Sequence, residues 1–139
     1  MFKKILLPVD LTDKHTTALD AAARVAEQGG GTITLLHVVE VIPGLPMEEE
    51  ATFYGRLERV ARNQIQQLGK RLEAHKVPYQ IEVRFGKRAT ETVRYAAEAA
   101  ADLLVVTAPP VDPANPAAGL QSMSYTIGLF AQCPVLVVK

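Results

Sequence analysis

Ala101–Pro116 reads A-D-L-L-V-V-T-A-P-P-V-D-P-A-N-P, and the interpretation of this stretch decides the fold. Asp102–Thr107 is a short apolar run of the kind found in a strand covered on both faces of a parallel sheet. It passes without a break into a proline-rich crossing. In an open α/β sheet such a crossing leaves the carboxyl end of a central strand, where ligands sit. Its contents therefore choose between nucleotide binding and a purely structural or interaction role.

The pattern extends to both sides of this stretch. Lys4–Val9 is a second continuous apolar run, and Pro8, which has no ladder donor, is expected at its end. Asp10–His15 is a polar turn in which Thr12 or Asp13 is expected to cap a helix. That helix places Ala18, Ala21, Ala22, Val25 and Ala26 on one stripe and stops at Gly29–Gly31. Thr32–Val39 is the second strand, and Glu40–Glu50 is a loop. Ala51–His75 carries Leu57, Val60, Ala61, Ile65, Leu68 and Leu72 at helical spacing, with Gly69 weakening its end. Tyr79–Phe85 alternates apolar and polar residues, which suits the edge of a sheet. A helix over Thr90–Ala100 follows Gly86. Beyond the crossing, Gly119–Ala131 is expected to be helical, with Met123, Ile127 and Phe130 or Ala131 facing inward. Pro134–Val138 is the last strand. Strands and helices alternating at these lengths define βαβ units, one parallel sheet and an α/β class.

The chain of 139 residues is the size of one domain, here 1–139. Its 48% hydrophobic and 22% charged residues are ordinary for a globular protein. Fifteen basic residues balance fifteen acidic ones, so no overall field draws nucleic acid or an acidic membrane. No apolar run approaches the roughly 18 residues of a membrane span, and Pro8 and Asp10 end the first run too early for a signal peptide. A cytoplasmic location is expected. Cys133 is the only cysteine, which excludes an intrachain disulfide, and its apolar flanks suggest a buried, inert thiol.

Asp10 ends the first strand, where a carboxylate serves equally as a turn residue or as an acceptor for a nucleobase or ribose hydroxyl. His37, beside an apolar run, reads as a satisfied structural residue. His15 and His75 stand apart from any cluster with zinc spacing, so no metal site is expected. Gly86, Lys87 and Arg88 precede a helix N-terminus and could hold an anionic ligand or protein segment, but they follow the edge strand, away from the central crevice, and read first as a solvated basic turn. Thr107, Ser122, Ser124 and Thr126 bring hydroxyls near the crossing. None has a histidine and a carboxylate at recognisable spacing, and there is no G-x-S-x-G elbow, so no catalytic residue is assigned. G-x-x-x-x-G-K-[ST] and G-x-G-x-x-G are also absent.

The ordered segments K-K-I-L-L-P-V-D, T-L-L-H-V-V and A-D-L-L-V-V, closing with A-Q-C-P-V-L-V-V-K, resemble the universal stress protein family over essentially the whole chain. The resemblance implies a three-layer, adenine-nucleotide-alpha-hydrolase-like fold. Its five-stranded parallel sheet would have the order 3-2-1-4-5, with two helices on each face. It also implies a cytoplasmic homodimer, formed through the C-terminal strand and linked to stress tolerance. One branch of the family binds ATP through a loop resembling G-2x-G-9x-G-[ST]. The corresponding positions here are Ala108, Val111 and Gln121, followed by Ser122. The spacing is kept, and all three glycines are replaced. Asp10 matches the family's base- or ribose-contacting aspartate, and Val38 lies in the segment whose backbone meets adenine.

These replacements have a physical consequence. Pro109, Pro110 and Pro113 have no N–H to offer a phosphate, and Val111 puts a branched side chain where glycine allows close approach. Asp112 adds negative charge, with no lysine or arginine between Tyr95 and Lys139 to offset it. The expected protein is therefore a non-enzymatic, dimeric binding or regulatory protein of the stress response, with no cofactor and no conventional ATP site. Its further partner would be a protein or a small molecule. The alternative is an adenine-nucleotide-binding protein that takes ATP or AMP in an altered pose, with weak ATP hydrolysis.

Overall fold

A computed structural model describes the backbone of residues 1–139 and every side chain except those of 119–121. The strands are β1 (Lys4–Pro8), β2 (Thr32–Glu40), β3 (Tyr79–Gly86), β4 (Leu103–Thr107) and β5 (Val135–Val138). The α-helices are α1 (Thr16–Gly29), α2 (Ala51–Ala74), α3 (Arg88–Glu98) and α4 (Met123–Phe130). All strands pair in parallel, in the order β3-β2-β1-β4-β5. The expected α/β fold and strand order are both present, and Pro8 ends β1 as anticipated.

Alternation along the central strands splits the core into two layers. Ile5, Leu7, Ile33, Leu35, Leu103 and Val105 pack with Ala18, Leu19 and Ala22 of α1 and with Ala61, Ile65 and Leu72 of α2. Leu6, Leu36, Val38, Leu104 and Val106 pack with Tyr95 and Ala96 of α3 and with Ile127 of α4. Each face of the sheet is thus covered by two helices, which is why β1 and β4 read as unbroken apolar runs. Every large aliphatic buried here contributes about 1.5–3 kcal/mol. No helix among the described residues is long and apolar enough to cross a membrane.

Several local expectations are corrected. Thr12 and Asp13 do not cap α1, because the amide and hydroxyl of Thr12 donate to Asp10 Oδ1 and the helix starts only after His15. The buried stripe of α1 also includes Leu19 and Ala23, with Val25 packed half-buried against it and Ala21 half-buried at its margin. Val60 of α2 is exposed, and Tyr54 takes its place in the core, held by hydrogen bonds with Ile42 and Leu45. Gly69 is a packing residue, since a Cβ there would lie 2.3 Å from the Tyr79 ring. The segment after the crossing is a 3-10 turn over Pro116–Gln121, separated from α4 by the extended Ser122. Ala131 packs inward, while Phe130 is 64% exposed. Cys133 is half-buried, and burial pushes its thiol pKa up, in keeping with an inert thiol.

Two glycines make opposite predictions. A Cβ on Gly31 would lie 2.4 Å from the Phe2 carbonyl oxygen, whereas one on Gly55 meets nothing closer than 4.0 Å. Gly31→Ala should therefore lower stability by about 1–3 kcal/mol. Gly55→Ala, inside α2, should raise it by roughly 0.5–1 kcal/mol. Urea unfolding of both variants checks the pair, and equal effects would contradict the packing described.

Candidate functional site

The crevice arises from where β1 stops. Along β2, residues Thr32 and Leu36 bond toward β1, through Thr32 N to Lys3 O and Val9 N to Leu36 O, while Ile33 bonds toward β3 through its N–H to Pro78 O. Successive residues of a strand in a ladder address opposite neighbours, so Val38 also faces the β1 side. β1 ends at Pro8, opposite Leu36. The N–H and C=O of Val38 therefore point into the space beyond the strand. On the far wall, Leu104 and Ala108 address β5 through Pro134 O and Val138 O. By the same alternation Thr107 faces the vacated side, and its carbonyl accepts from Ser124 Oγ at 2.8 Å. This is a topological switch point built from backbone geometry.

Asp10 and His15 close the floor. His15 is 3% exposed, with Nδ1 2.8 Å from Thr107 Oγ1 and Nε2 2.9 Å from Asp10 Oδ1. It ties the end of β1 to the end of β4 across 92 residues of sequence. Asp10 Oδ1 also accepts from the amide and hydroxyl of Thr12, and Lys14 Nζ lies 2.9 Å from Oδ2. Burial pushes the Asp10 carboxyl up, but Lys14, Thr12 and His15 together hold it well below the usual carboxylate range. His37 is buried and bonds the Val9 carbonyl through Nδ1 at 3.0 Å, the structural role expected of it. Among the described residues, no group of three or more His, Cys, Asp or Glu is arranged to hold a metal ion.

The crevice, about 110 Å³, is lined by Asp10, Lys14, His15, Val38, Arg88, Thr92, Thr107, Pro109, Ser122 and Ser124, among others. A wider groove of about 540 Å³ shares Pro109, Ser122 and Ser124 with it and runs past Ala108, Val111, Asp112, Tyr125, Val137 and Lys139. Asp10, Val38 and Ser122 thus lie in the crevice, Ala108 and Val111 lie in the outer groove, and the side chain of Gln121 falls outside the described residues. Ser122 caps α4, its Oγ accepting from Tyr125 N at 3.1 Å. Arg88 corrects the view of its turn as remote, since it reaches the crevice and pairs with Glu40 at 3.5 Å. Lys139 lines the same groove as Asp112. Sequence reasoning passed over His15, Lys14 and Thr92 as site residues, and it placed the anion-binding candidate Arg88 away from the crevice. The only local signal was that Lys14 and His15 fall four and five positions after the strand-ending Asp10.

Part of the crossing's donor set is taken up by its own bonds. Pro109, Pro110, Pro113 and Pro116 carry no N–H. Ala108 N donates to Val138 O, Ala114 N to Asp112 Oδ1, Asn115 N to Asp112 O and Ala118 N to Asn115 O.

Fold and crevice together define a parallel α/β protein with a ligand cleft at its switch point. The model of the Universal stress protein family matches residues 1–139, and the chain belongs to that family. It is 29% identical over 147 aligned positions to the universal stress protein MJ0531 of Methanocaldococcus jannaschii, covering 100% of this chain and 83% of that one. The hypothetical protein MJ0577, whose structure served for assignment of its biochemical function, superposes with a TM-score of 0.80 at 25% identity, over 100% of this chain and 96% of that one. A universal stress protein from Archaeoglobus fulgidus, solved in complex with dAMP, shares the fold with a TM-score of 0.73 at 16% identity, over 99% and 98% of the two chains.

The Asp10 cluster has a pH signature. A carboxyl held low in the folded state adds stability above its ordinary pKa of about 4, and this is lost as the pH falls below that value. Asp10→Asn should cost roughly 1–2 kcal/mol at neutral pH, the scale of lost hydrogen bonds to a charged group. The gap from wild type should close in acid. Urea unfolding between neutral and acidic pH measures it, and a constant gap would show that the charge is not responsible.

Proposed function

We propose that this chain is a non-enzymatic binding protein of the stress response that acts as a cytoplasmic homodimer. In this reading its crevice accepts a small adenine-nucleoside ligand without wrapping a polyphosphate. The observation that carries this is the amide inventory of the crossing after β4, where four prolines have no N–H and the amides of Ala108, Ala114, Asn115 and Ala118 already donate within the chain. A triphosphate needs an open set of amides at that place, and bonds in use are costly to break. Asp10, the outward-facing backbone of Val38 and the Ser122 hydroxyl still offer what a nucleoside requires. The dAMP complex of the Archaeoglobus fulgidus protein supports this choice of ligand class. Asp10, His15 and Thr107 set a carboxylate, an imidazole and a hydroxyl in line in the crevice, but His15 is 3% exposed and ties two strand ends together, a buried structural tie that supports binding over catalysis.

Calorimetric titration of the ligand-free protein tests the ligand reading. Adenosine should bind, Asp10→Ala should abolish that binding in a variant that keeps its circular dichroism, and ATP with magnesium should show no micromolar affinity. Micromolar ATP binding, or adenosine binding unchanged by Asp10→Ala, would refute it.

Dimerisation rests on a different surface. β5 lies at the end of the sheet and pairs with β4 on one side only. Leu136 and Val137 on it, and Leu129 and Phe130 on the neighbouring α4, are exposed. An uncovered apolar edge with unpaired backbone groups calls for a second strand, and a second copy of β5 supplies one by antiparallel pairing. Sedimentation should give a dimer that Val137→Lys converts to monomer, and a monomer mass at every concentration of the unaltered protein would contradict the proposal.

A further inference from the structure

We propose that a nucleoside monophosphate is held with its phosphate on Arg88, on the α3 side of the crevice, rather than on the crossing after β4. This rests on the ligand reading above and adds the position and number of the phosphates. Arg88 and Thr92 are one helical turn apart on α3 and both line the crevice, so a face of this helix, and not one chance rotamer, is turned toward it. Thr92 is 1% exposed and fixes that face in the core. Lys14 lines the same crevice. The charged residues lining it are thus Lys14 and Arg88 against Asp10, an excess of positive charge.

Lys14 is paired with Asp10 Oδ2 at 2.9 Å, which leaves Arg88 as the cation open to exchange. Among the described residues Arg88 pairs with Glu40, through Nε and Oε1 at 3.5 Å, and both side chains are about half exposed. Such a pair contributes little and gives way to a better anion. A phosphomonoester offers that, because the guanidinium fork matches two of its oxygens. The outer groove offers no equivalent. It sets Asp112 beside Lys139, and the neighbouring amides of Ala114 and Asn115 are spent on Asp112 itself. One phosphate therefore finds a cationic site, and phosphates added beyond it gain nothing from the crossing.

The test is calorimetry with adenosine, AMP and ATP on the unaltered chain and on Arg88→Ala, Arg88→Lys and Lys87→Ala. AMP should bind at least about tenfold more tightly than adenosine, the scale of one charge-assisted hydrogen bond, and ATP no more tightly than AMP. Arg88→Ala should abolish the AMP advantage and leave adenosine affinity unchanged, with Arg88→Lys intermediate. Lys87, which does not line the crevice, should be replaceable without effect. Equal affinities for AMP and adenosine, an advantage that survives Arg88→Ala, or an equal loss in Lys87→Ala would overturn this placement while the nucleoside reading stands. Failure of both adenosine and AMP to bind would remove the two together.

Discussion

The missing N–H of Pro8 is the constraint on which the rest of this molecule depends. β1 addresses β2 through Lys3 and Val9, so the intervening even-numbered residues address β4, as Lys4 O does in accepting from Asp102 N. The donor that Pro8 lacks is therefore the one that would have extended the β1–β4 ladder. Pairing with β4 covers only Ile5–Leu103 and Leu6–Leu104, while pairing with β2 continues to Leu36. β2 and β4 run on past this point with inward-facing backbone groups and no strand between them. Buried polar groups need partners, and the chain supplies them with side chains. Ser124 donates to the Thr107 carbonyl, and His15 spans from Asp10 to the Thr107 hydroxyl. The crevice and its polar lining are thus a single consequence of how the first strand ends.

The same geometry explains how a member of this family keeps its fold while the loop after β4 changes character. That loop contributes little to either core layer, whose members come from the strands and the helices packed on them. The prolines, Ala108 and Val111 of the crossing can therefore vary without disturbing what holds the sheet together. What changes is chemical. The crossing uses the amides of Ala108, Ala114, Asn115 and Ala118 within the chain, and the cations that line the crevice, Lys14 and Arg88, come from residues that precede and open helices. Fold and site are separable in this sense, and the fold alone does not say which wall of the cleft carries the ligand's charge.

The elements of the fold were legible because each is written locally. Apolar runs marked the central strands, alternation marked β3 as an edge, and helical spacing marked α2. Local errors fell where two short-range interactions compete. Thr12 has the chemistry of a helix cap, but Asp10 two residues earlier captures it. Phe130 and Ala131 both suit an inward position, and the end of α4 turns only the smaller one toward the core. Val60 fits the apolar stripe of α2 by spacing, yet the core beneath that helix is completed by Tyr54.

From the order of its residues alone, this protein's class, its strand succession, the aspartate after its first strand and the prolines of its crossing could be established, since all of these are matters of period, chain direction and residue type. The membership of the site could not. His15 meets Thr107 across 92 positions, and Arg88 enters the crevice from a turn that follows an edge strand. Such neighbours are set by the twist and stacking of whole elements. No periodicity within a single segment encodes them, so only the tertiary structure decided which charges and hydroxyls share the cleft.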